Sequence, residues 1–467
     1  MSLAIFQSGW LVAVAPFHAM DEFDHAYRAT SVARGDWAPS HDLPANGRGF
    51  LVRTPADVVE AAEPACSALE YTLPDNCRAT TAPDERGRVK VASAAATYFP
   101  AWYVIAGTSA LPFDGDAALY ALRVSNLLLC GLLILGALAF SIRRARSWWP
   151  FASVLVACTP ALVQATAVSA PNGFGFAGGL LFWAAVLALI RDPASPTQPL
   201  VGVVTGATAV MVAHSTGVLW IALAALCLLP LLGPRLRTLV AVAATRRRVV
   251  ATLVAVTGVA AAMAWYVLAN GTNDPRGESL DLGPAPRSLY VRGPILWTAQ
   301  SVATGIFRNQ MAPLAVYAVG LVALLLLLFL ALGRGGRRGR WTLILLCVVS
   351  LAVPLALQVA SYDDIGRAWQ GRYAFPLSSG VILVAGHVID ERISGGPALS
   401  MAVRATVAAI VSFLQVATLW DVVPATRLDI AEPFRLVSLI LGAAAALFLF
   451  IALSALHRAL PTSSEQP

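Results

Sequence analysis

Three carboxylates fall within four residues, Asp21, Glu22 and Asp24, directly after the first apolar segment, and His25, Ala26, Tyr27 and Arg28 follow. In a helix, Asp21, Asp24, His25 and Arg28 share one face through i+3 and i+4 spacing. A carboxylate crowded by other acids and withdrawn from water holds its proton more tightly, which suits a general base near neutral pH. The same oxygens could instead coordinate a hard divalent cation. A structural alternative stands beside both readings: Asp21 is a good N-cap, acids favour a first helical turn, and Asp24 with Arg28 is an ordinary i,i+4 pair. Position tips the balance toward chemistry, because an acidic cluster abutting an apolar span is poorly placed for solvation alone.

A second cluster runs Asp363-Asp364-Ile365-Gly366-Arg367-Ala368-Trp369-Gln370-Gly371-Arg372-Tyr373, immediately before another apolar segment. Arg367 and Arg372, with two aromatics beside them, can grip a phosphate through bidentate hydrogen bonds. The rival reading is an interfacial aromatic belt with arginines reaching toward lipid head groups. Weaker signals lie elsewhere. Asp114-Gly115-Asp116 reads more readily as turn chemistry than as a metal dyad. Arg123, one turn into an apolar segment, is costly in lipid and must face protein or a cavity. His214-Ser215-Thr216 reads as a structural turn, and Phe99-Pro100-Ala101-Trp102-Tyr103 as an interfacial platform. The chain contains no G-x-x-x-x-G-K-[ST], H-E-x-x-H or G-x-S-x-G, so nucleotide-driven transport and the commonest hydrolases lose support.

The elements that position these residues must be membrane spans. Of 467 residues, 58% are hydrophobic and 13% charged, and the mean hydropathy is +0.69. Soluble domains carry about a quarter charged residues. Apolar segments fall at 3–19, 117–140, 151–169, 174–190, 200–213, 215–232, 249–269, 312–332, 341–360, 374–389, 403–420 and 435–457. The fold class expected is an all-α integral membrane protein of about twelve transmembrane helices, within a range of 10–13. It forms a single polytopic domain over 1–467, with a long outer first loop at 19–91 carrying short helices and a second outer loop at 270–311. The stretch 92–112, interrupted by Pro100 and Pro112, reads as a helix lying against the membrane or dipping into it. The first segment lacks the basic start of a secretory signal.

Charge sets the orientation. With the N-terminus inside and twelve crossings, the inner side holds 16 arginines against four acids, Asp192, Asp390, Glu391 and Glu465. The outer side holds 17 basic residues against 22 acids. Such an inner excess is what membrane insertion demands, so both termini are expected in the cytoplasm of a multi-pass protein of the plasma or inner membrane. The +7 net charge is therefore an anchor pattern and not a nucleic-acid surface. Inner loops are short, so the working site must be outer or within the bilayer. Cys66 and Cys77, ten residues apart between them in the first loop, could form a disulfide if that loop faces an oxidising space.

These residues resemble a known class. A first span followed at once by Asp21-Glu22-Phe23-Asp24-His25-Ala26-Tyr27-Arg28, with Gly35 beyond, a long first loop and many spans, is similar to the GT-C class of membrane glycosyltransferases. More narrowly, the chain resembles a bacterial family of polytopic membrane proteins within that class. Phe99-Pro100-Ala101-Trp102-Tyr103 and Gln370-Gly371-Arg372-Tyr373 resemble two further family stretches. Similar proteins often carry Asn-x-Asp after the span equivalent to 151–169, whereas this chain has Pro171-Asn172-Gly173-Phe174 and lacks the acid. The resemblance implies a sugar moved from a polyprenyl-phosphate carrier to an envelope glycan, glycolipid or protein acceptor on the outer face, with membrane lipid as a partner and no nucleic acid. It implies Asp21, Asp24 or Glu22 as catalytic groups, with Asp21 or Asp24 deprotonating the acceptor. Arg372, with Arg367 or Arg28, would hold the carrier phosphate, and His25, Tyr103 and Tyr373 would complete the substrate site; a divalent cation is an optional cofactor. Two other classes remain open from the residues: a flippase or transporter of lipid-linked glycans, and a non-catalytic envelope scaffold. Ionisable residues deep in the spans, which ion-coupled transport would need, are scarce.

Overall fold

The computed structural model describes residues 1–38, 41–69, 71–193, 195–233, 283–303, 311–367, 369–392, 397–426 and 430–459, with isolated positions between 258 and 269. Among these, seven helices are long and apolar enough to cross a membrane. They include α6 (Gly115–Ile142), α9 (Pro171–Arg191), α13 (Leu314–Arg334), α14 (Arg337–Ala360), α16 (Phe375–Asp390), α17 (Pro397–Thr426) and α18 (Ala431–Ala459). The pair α7 (Trp149–Ala157) and α8 (Pro160–Ala167) is apolar enough together to cross a membrane and bends by 64° at the break between them. Pro160 cannot extend α7, and the Thr159 side chain accepts from Leu162 N to start α8. Shorter apolar helices are α1 (Ser2–Ala13), α10 (Thr197–Ala213) and α11 (Gly217–Leu232). Eleven of the twelve expected segments thus coincide with a helix or a bent pair. The segment 249–269 and much of the loop 270–311 lie outside the described residues, apart from α12 (Leu289–Val302).

Helix α9 is the hub: 94% of its apolar window is buried, against 17% in α13, whose side chains face outward. Its glycines explain the close approach. Gly178 of α9 and Gly206 of α10 stand where a Cβ would strike the other helix's backbone, the small-residue contact that membrane helices use when packing replaces hydrophobic exclusion. Trp183 Nε1 donates to Pro376 O at 2.9 Å and ties α9 to α16.

The two ends of the bundle differ chemically. At one end Arg191 donates to the carbonyls of Phe140, Ser141 and Arg143 around the C-terminus of α6. There Asp192 meets Arg143 at 3.2 Å, and Asp390 accepts from Arg146 N, Ser147 N and Ser147 Oγ. The other end carries a folded unit, with α2 (Glu22–Ala33), β1 (Phe50–Pro55), α3 (Ala56–Ser67), α4 (Pro74–Cys77), β2 (Arg88–Ser93) and α5 (Pro100–Thr108). It has its own core, including Phe23, Tyr27, Val52, Val91 and Trp102, and Cys66 is bonded to Cys77.

The stretch 92–112 differs from the single helix expected at the membrane. Its start belongs to β2, which pairs antiparallel with β1 from Phe50↔Ser93 to Pro55↔Arg88. Val89 and Val91 alternate inward, a period-2 pattern that pairing with β1 buries. The helix begins only at Pro100, a favoured first helical position, and buries Trp102 and Tyr103 inside the protein. The first loop therefore holds a two-stranded sheet as well as short helices.

A fully buried ion pair joins unit and bundle. Arg123 of α6 meets Glu22 bidentately, Nε to Oε1 at 2.8 Å and Nη2 to Oε2 at 2.6 Å, with both side chains fully buried. The same guanidinium donates to Val14 O and Ala15 O at the end of α1, and Glu22 Oε1 also accepts from Ser169 N. Arg123 faces protein, as its position in an apolar helix required. Removing one partner leaves an uncompensated buried charge and costs about 3–5 kcal/mol. Thermal unfolding of purified protein in detergent should therefore show Glu22→Ala strongly destabilised. The double variant Glu22→Met/Arg123→Met should regain much of the loss, and a double variant no better than the single would count against this account.

Candidate active site

The chain turns from α1 into α2 through residues 14–21, where Phe17 (φ 60°) and Asp21 (φ 58°) both adopt the left-handed region. That region is costly for bulky side chains and better tolerated by Asp. Asp21 occupies the N-cap position of α2 but makes no side-chain cap; its Oδ2 instead lies 3.4 Å from Arg372 Nη2. Glu22, one residue on, points the other way to Arg123. The i,i+4 pair of Asp24 with Arg28 is not formed. Arg28 donates to the carbonyls of Asp36, Trp37 and Ala38, while Asp24 Oδ1 accepts from Ala94 N at 2.8 Å.

Asp24 is buried, and its Oδ2 has no hydrogen-bond partner among the described residues. Burial, aided by the Asp21 charge, raises its pKa to about 7. His25 Nδ1 is 2.8 Å from Tyr103 Oη, and its ring packs against Tyr98 and Tyr103. Burial lowers His25 to about 4, with Asp21 opposing and Arg372 assisting, so the ring is neutral at physiological pH.

Arg372 arrives from a segment pinned by two buried glutamines. Gln358 donates to Gly366 O and accepts from Trp369 N, and Gln300 Oε1 accepts from Gly371 N at 2.7 Å. A Cβ at Gly371 would strike Trp297 O, so only glycine fits the step before the arginine. Arg372 then lies over the Tyr373 ring at 5.6 Å. Tyr373 packs against Trp369 and against His214, with ring centroids 5.6 and 5.0 Å apart.

His214 belongs to this constellation, although its sequence reads as a plain turn. Its Nδ1 accepts from Thr216 N at 3.2 Å, which leaves the ring proton on Nε2 as a donor. Burial, then the Arg372 charge, lowers it to about 4. The available signal was position alone, a histidine in a short turn at the same bundle end as both clusters.

Two cavities share this wall. One is lined by Met20, Gln164, Asn172, Phe176 and Arg372 among others. The second is lined by Asn172, Phe176, Val210, His214, Trp220 and Tyr373 among others. Asn172 and Phe176 border both, so the turn that lacks the acid of similar proteins still faces the site. Asp21, His25, Arg372, Tyr373 and His214 thus come together, with Tyr103 behind His25. Arg367 is exposed and borders neither cavity, and Arg28 lines a separate one. Among the described residues, no three His, Cys, Asp or Glu side chains gather as a metal-ligand set.

Fold and site together define a polytopic helical membrane protein whose acidic helix start meets an arginine across the end of its bundle. Residues 4–381 match the family described as predicted membrane protein (DUF2142), and the chain belongs to that family. None of the curated proteins matches it. Two crystal structures of ArnT from Cupriavidus metallidurans are similar: the apo state at 13% identity with a TM-score of 0.43, and the state bound to undecaprenyl phosphate at 14% and 0.41. Each comparison covers 98% of this chain and 74% of the other.

The raised Asp24 pKa fixes a pH dependence. A folded-state pKa of about 7 against 3.8 means that the folded protein binds the extra proton between those values. The associated stability is fully present below pH 3.8 and is lost as pH rises through about 7. Melting temperatures recorded against pH should fall across this window in wild type relative to Asp24→Asn, and level off above it. Parallel profiles would remove the assignment.

Proposed function

We propose that the chain is a membrane glycosyltransferase that moves a sugar from a polyprenyl-phosphate donor to an envelope glycan, glycolipid or protein acceptor. The observation that carries this reading is the approach of Asp21 to Arg372, 351 residues apart in sequence, where Arg372 lines the first cavity. A carboxylate beside a guanidinium supplies what a displacement at a sugar phosphate needs. The Asp21 carboxylate takes the proton of the acceptor hydroxyl as its oxygen bonds to the anomeric carbon. The bond from that carbon to the phosphate oxygen breaks, and its electron pair stays on the phosphate. Arg372 receives that charge through its fork of donors, and the His214 Nε2–H adds a neutral one.

Asp21 is favoured over Asp24 as the base because it is the accessible one: its side chain is 31% exposed, whereas Asp24 is buried. Asp24 and the neutral His25 shape the field behind it. Glu22, held by Arg123, acts on the position of α2 and touches no substrate. The apolar cavity wall of Phe176, Val210 and Trp220 suits the first units of a polyprenyl chain. In this reading the site end faces outward, and both termini lie in the cytoplasm of the plasma membrane. The arginine-rich opposite end and the Cys66–Cys77 disulfide on the site end support it.

Transfer of radiolabelled sugar from a panel of polyprenyl-phosphate donors, with purified protein in liposomes, tests the proposal. Asp21→Asn should lower the rate by about 10²–10⁴-fold and Arg372→Ala by about 10²–10³-fold. Gln300→Leu, which only loosens the arginine segment, should lower it less. Equal rates in all variants would remove the site assignment. Donor translocation without transfer in wild type would instead establish a flippase.

A further inference from the structure

We propose that the folded unit at the site end carries a second ligand site, for an acidic saccharide, at the far end of α2 from Asp21. The site is an open cavity of about 270 Å³ bordered by Arg28, Trp37, Asp42, Arg53 and Lys90 among others. None of these residues borders the cavities at Arg372. Arg28 lies seven residues along α2 from Asp21, about 10 Å at the helical rise, so a ligand here does not supply the reacting atoms.

Its chemistry is specific. Trp37 is 53% exposed, a large indole face left open to water. It is not a loose side chain on a loose loop, because Arg28 Nη2 holds the Trp37 carbonyl at 2.9 Å and Nη1 holds those of Asp36 and Ala38. Arg28 is itself buried, its guanidinium meets only neutral carbonyls, and its Nε has no partner among the described residues. The acids around it are answered by other cations, Asp42 by Lys90 at 2.7 Å and Asp36 by Arg88 at 3.4 Å. Arg53 stands exposed beside them. Counting Asp84, which shares Arg88, four cations face three acids, and the surplus charge is positive. An open indole on a pinned backbone next to hydrogen-bonding ions takes a sugar ring on its apolar face, and the surplus selects a saccharide bearing carboxylate or phosphate.

The inference rests on the glycosyltransferase reading only in making this saccharide the body of the acceptor; the binding itself stands apart from transfer. Titration calorimetry on the full chain in neutral-lipid nanodiscs tests it, with a galacturonic acid hexamer, a maltohexaose control and inorganic phosphate as competitor. The acidic hexamer should bind one per chain, and maltohexaose at least about tenfold more weakly. Trp37→Ala and Arg53→Gln should each weaken the acidic hexamer by about tenfold, while Asp21→Asn binds it as wild type does. Competition by phosphate would identify a phosphate-bearing saccharide, and its failure a carboxylate-bearing one; either fits the site. No binding of the acidic hexamer, equal affinity for the neutral one, or undiminished binding in both variants would overturn the proposal, whatever the outcome of the transfer assay.

Discussion

The bidentate contact between Arg123 and Glu22 governs the rest of the architecture. A charge pair this deep is costly to desolvate and persists only when its remaining donors are satisfied. Here the end of α1 provides those acceptors through Val14 and Ala15. The guanidinium therefore joins three things at one point: the end of the first helix, the start of the second and the flank of α6. Because the start of α2 is fixed in this way, its rotation about its own axis is fixed as well. Asp21 and Glu22, though adjacent, are directed to different arginines. Register is what separates a structural carboxylate from a candidate base.

The site is assembled from both halves of the chain and depends on backbone held by side-chain amides. Gln300 and Gln358 reach from different helices to peptide groups around Gly371, and such buried bonds orient Arg372 without adding charge. Electrostatically the arrangement is asymmetric. Two histidines are kept neutral, one carboxyl lies buried behind the rim, and the groups that keep part of their surface open are a carboxylate and a guanidinium in contact. Proton acceptance and negative-charge stabilisation are thus concentrated on two side chains.

Much of this was legible from the residues. Hydropathy sums over about twenty residues, so the helical segments announce themselves, and the asymmetry of arginine placement distinguishes the two ends. Arg123 inside an apolar run demanded a partner, yet its identity was hidden, because spacing along the chain says nothing about which of several neighbouring acids will meet a residue 101 positions away. The two strands were readable in principle from the alternation at Phe50, Val52, Val89 and Val91, but the apolar run that opens at 92 reads as a helix at the membrane and absorbs the end of β2. His214 was beyond reach for a different reason: a turn's sequence does not reveal what packs over it, and its neighbour Tyr373 comes from a distant part of the chain.

The disulfide between Cys66 and Cys77 closes α3 onto α4 within the unit that carries Asp21. Thiols oxidise stably in secretory or periplasmic spaces and stay reduced in the cytosol. With the site end outward, as proposed above, the bond would be a historical record in each molecule, separating chains whose first loop has crossed the membrane from chains left in the reducing compartment. On that orientation, a preparation's free-thiol content at these two positions would measure its biogenesis without reference to catalysis.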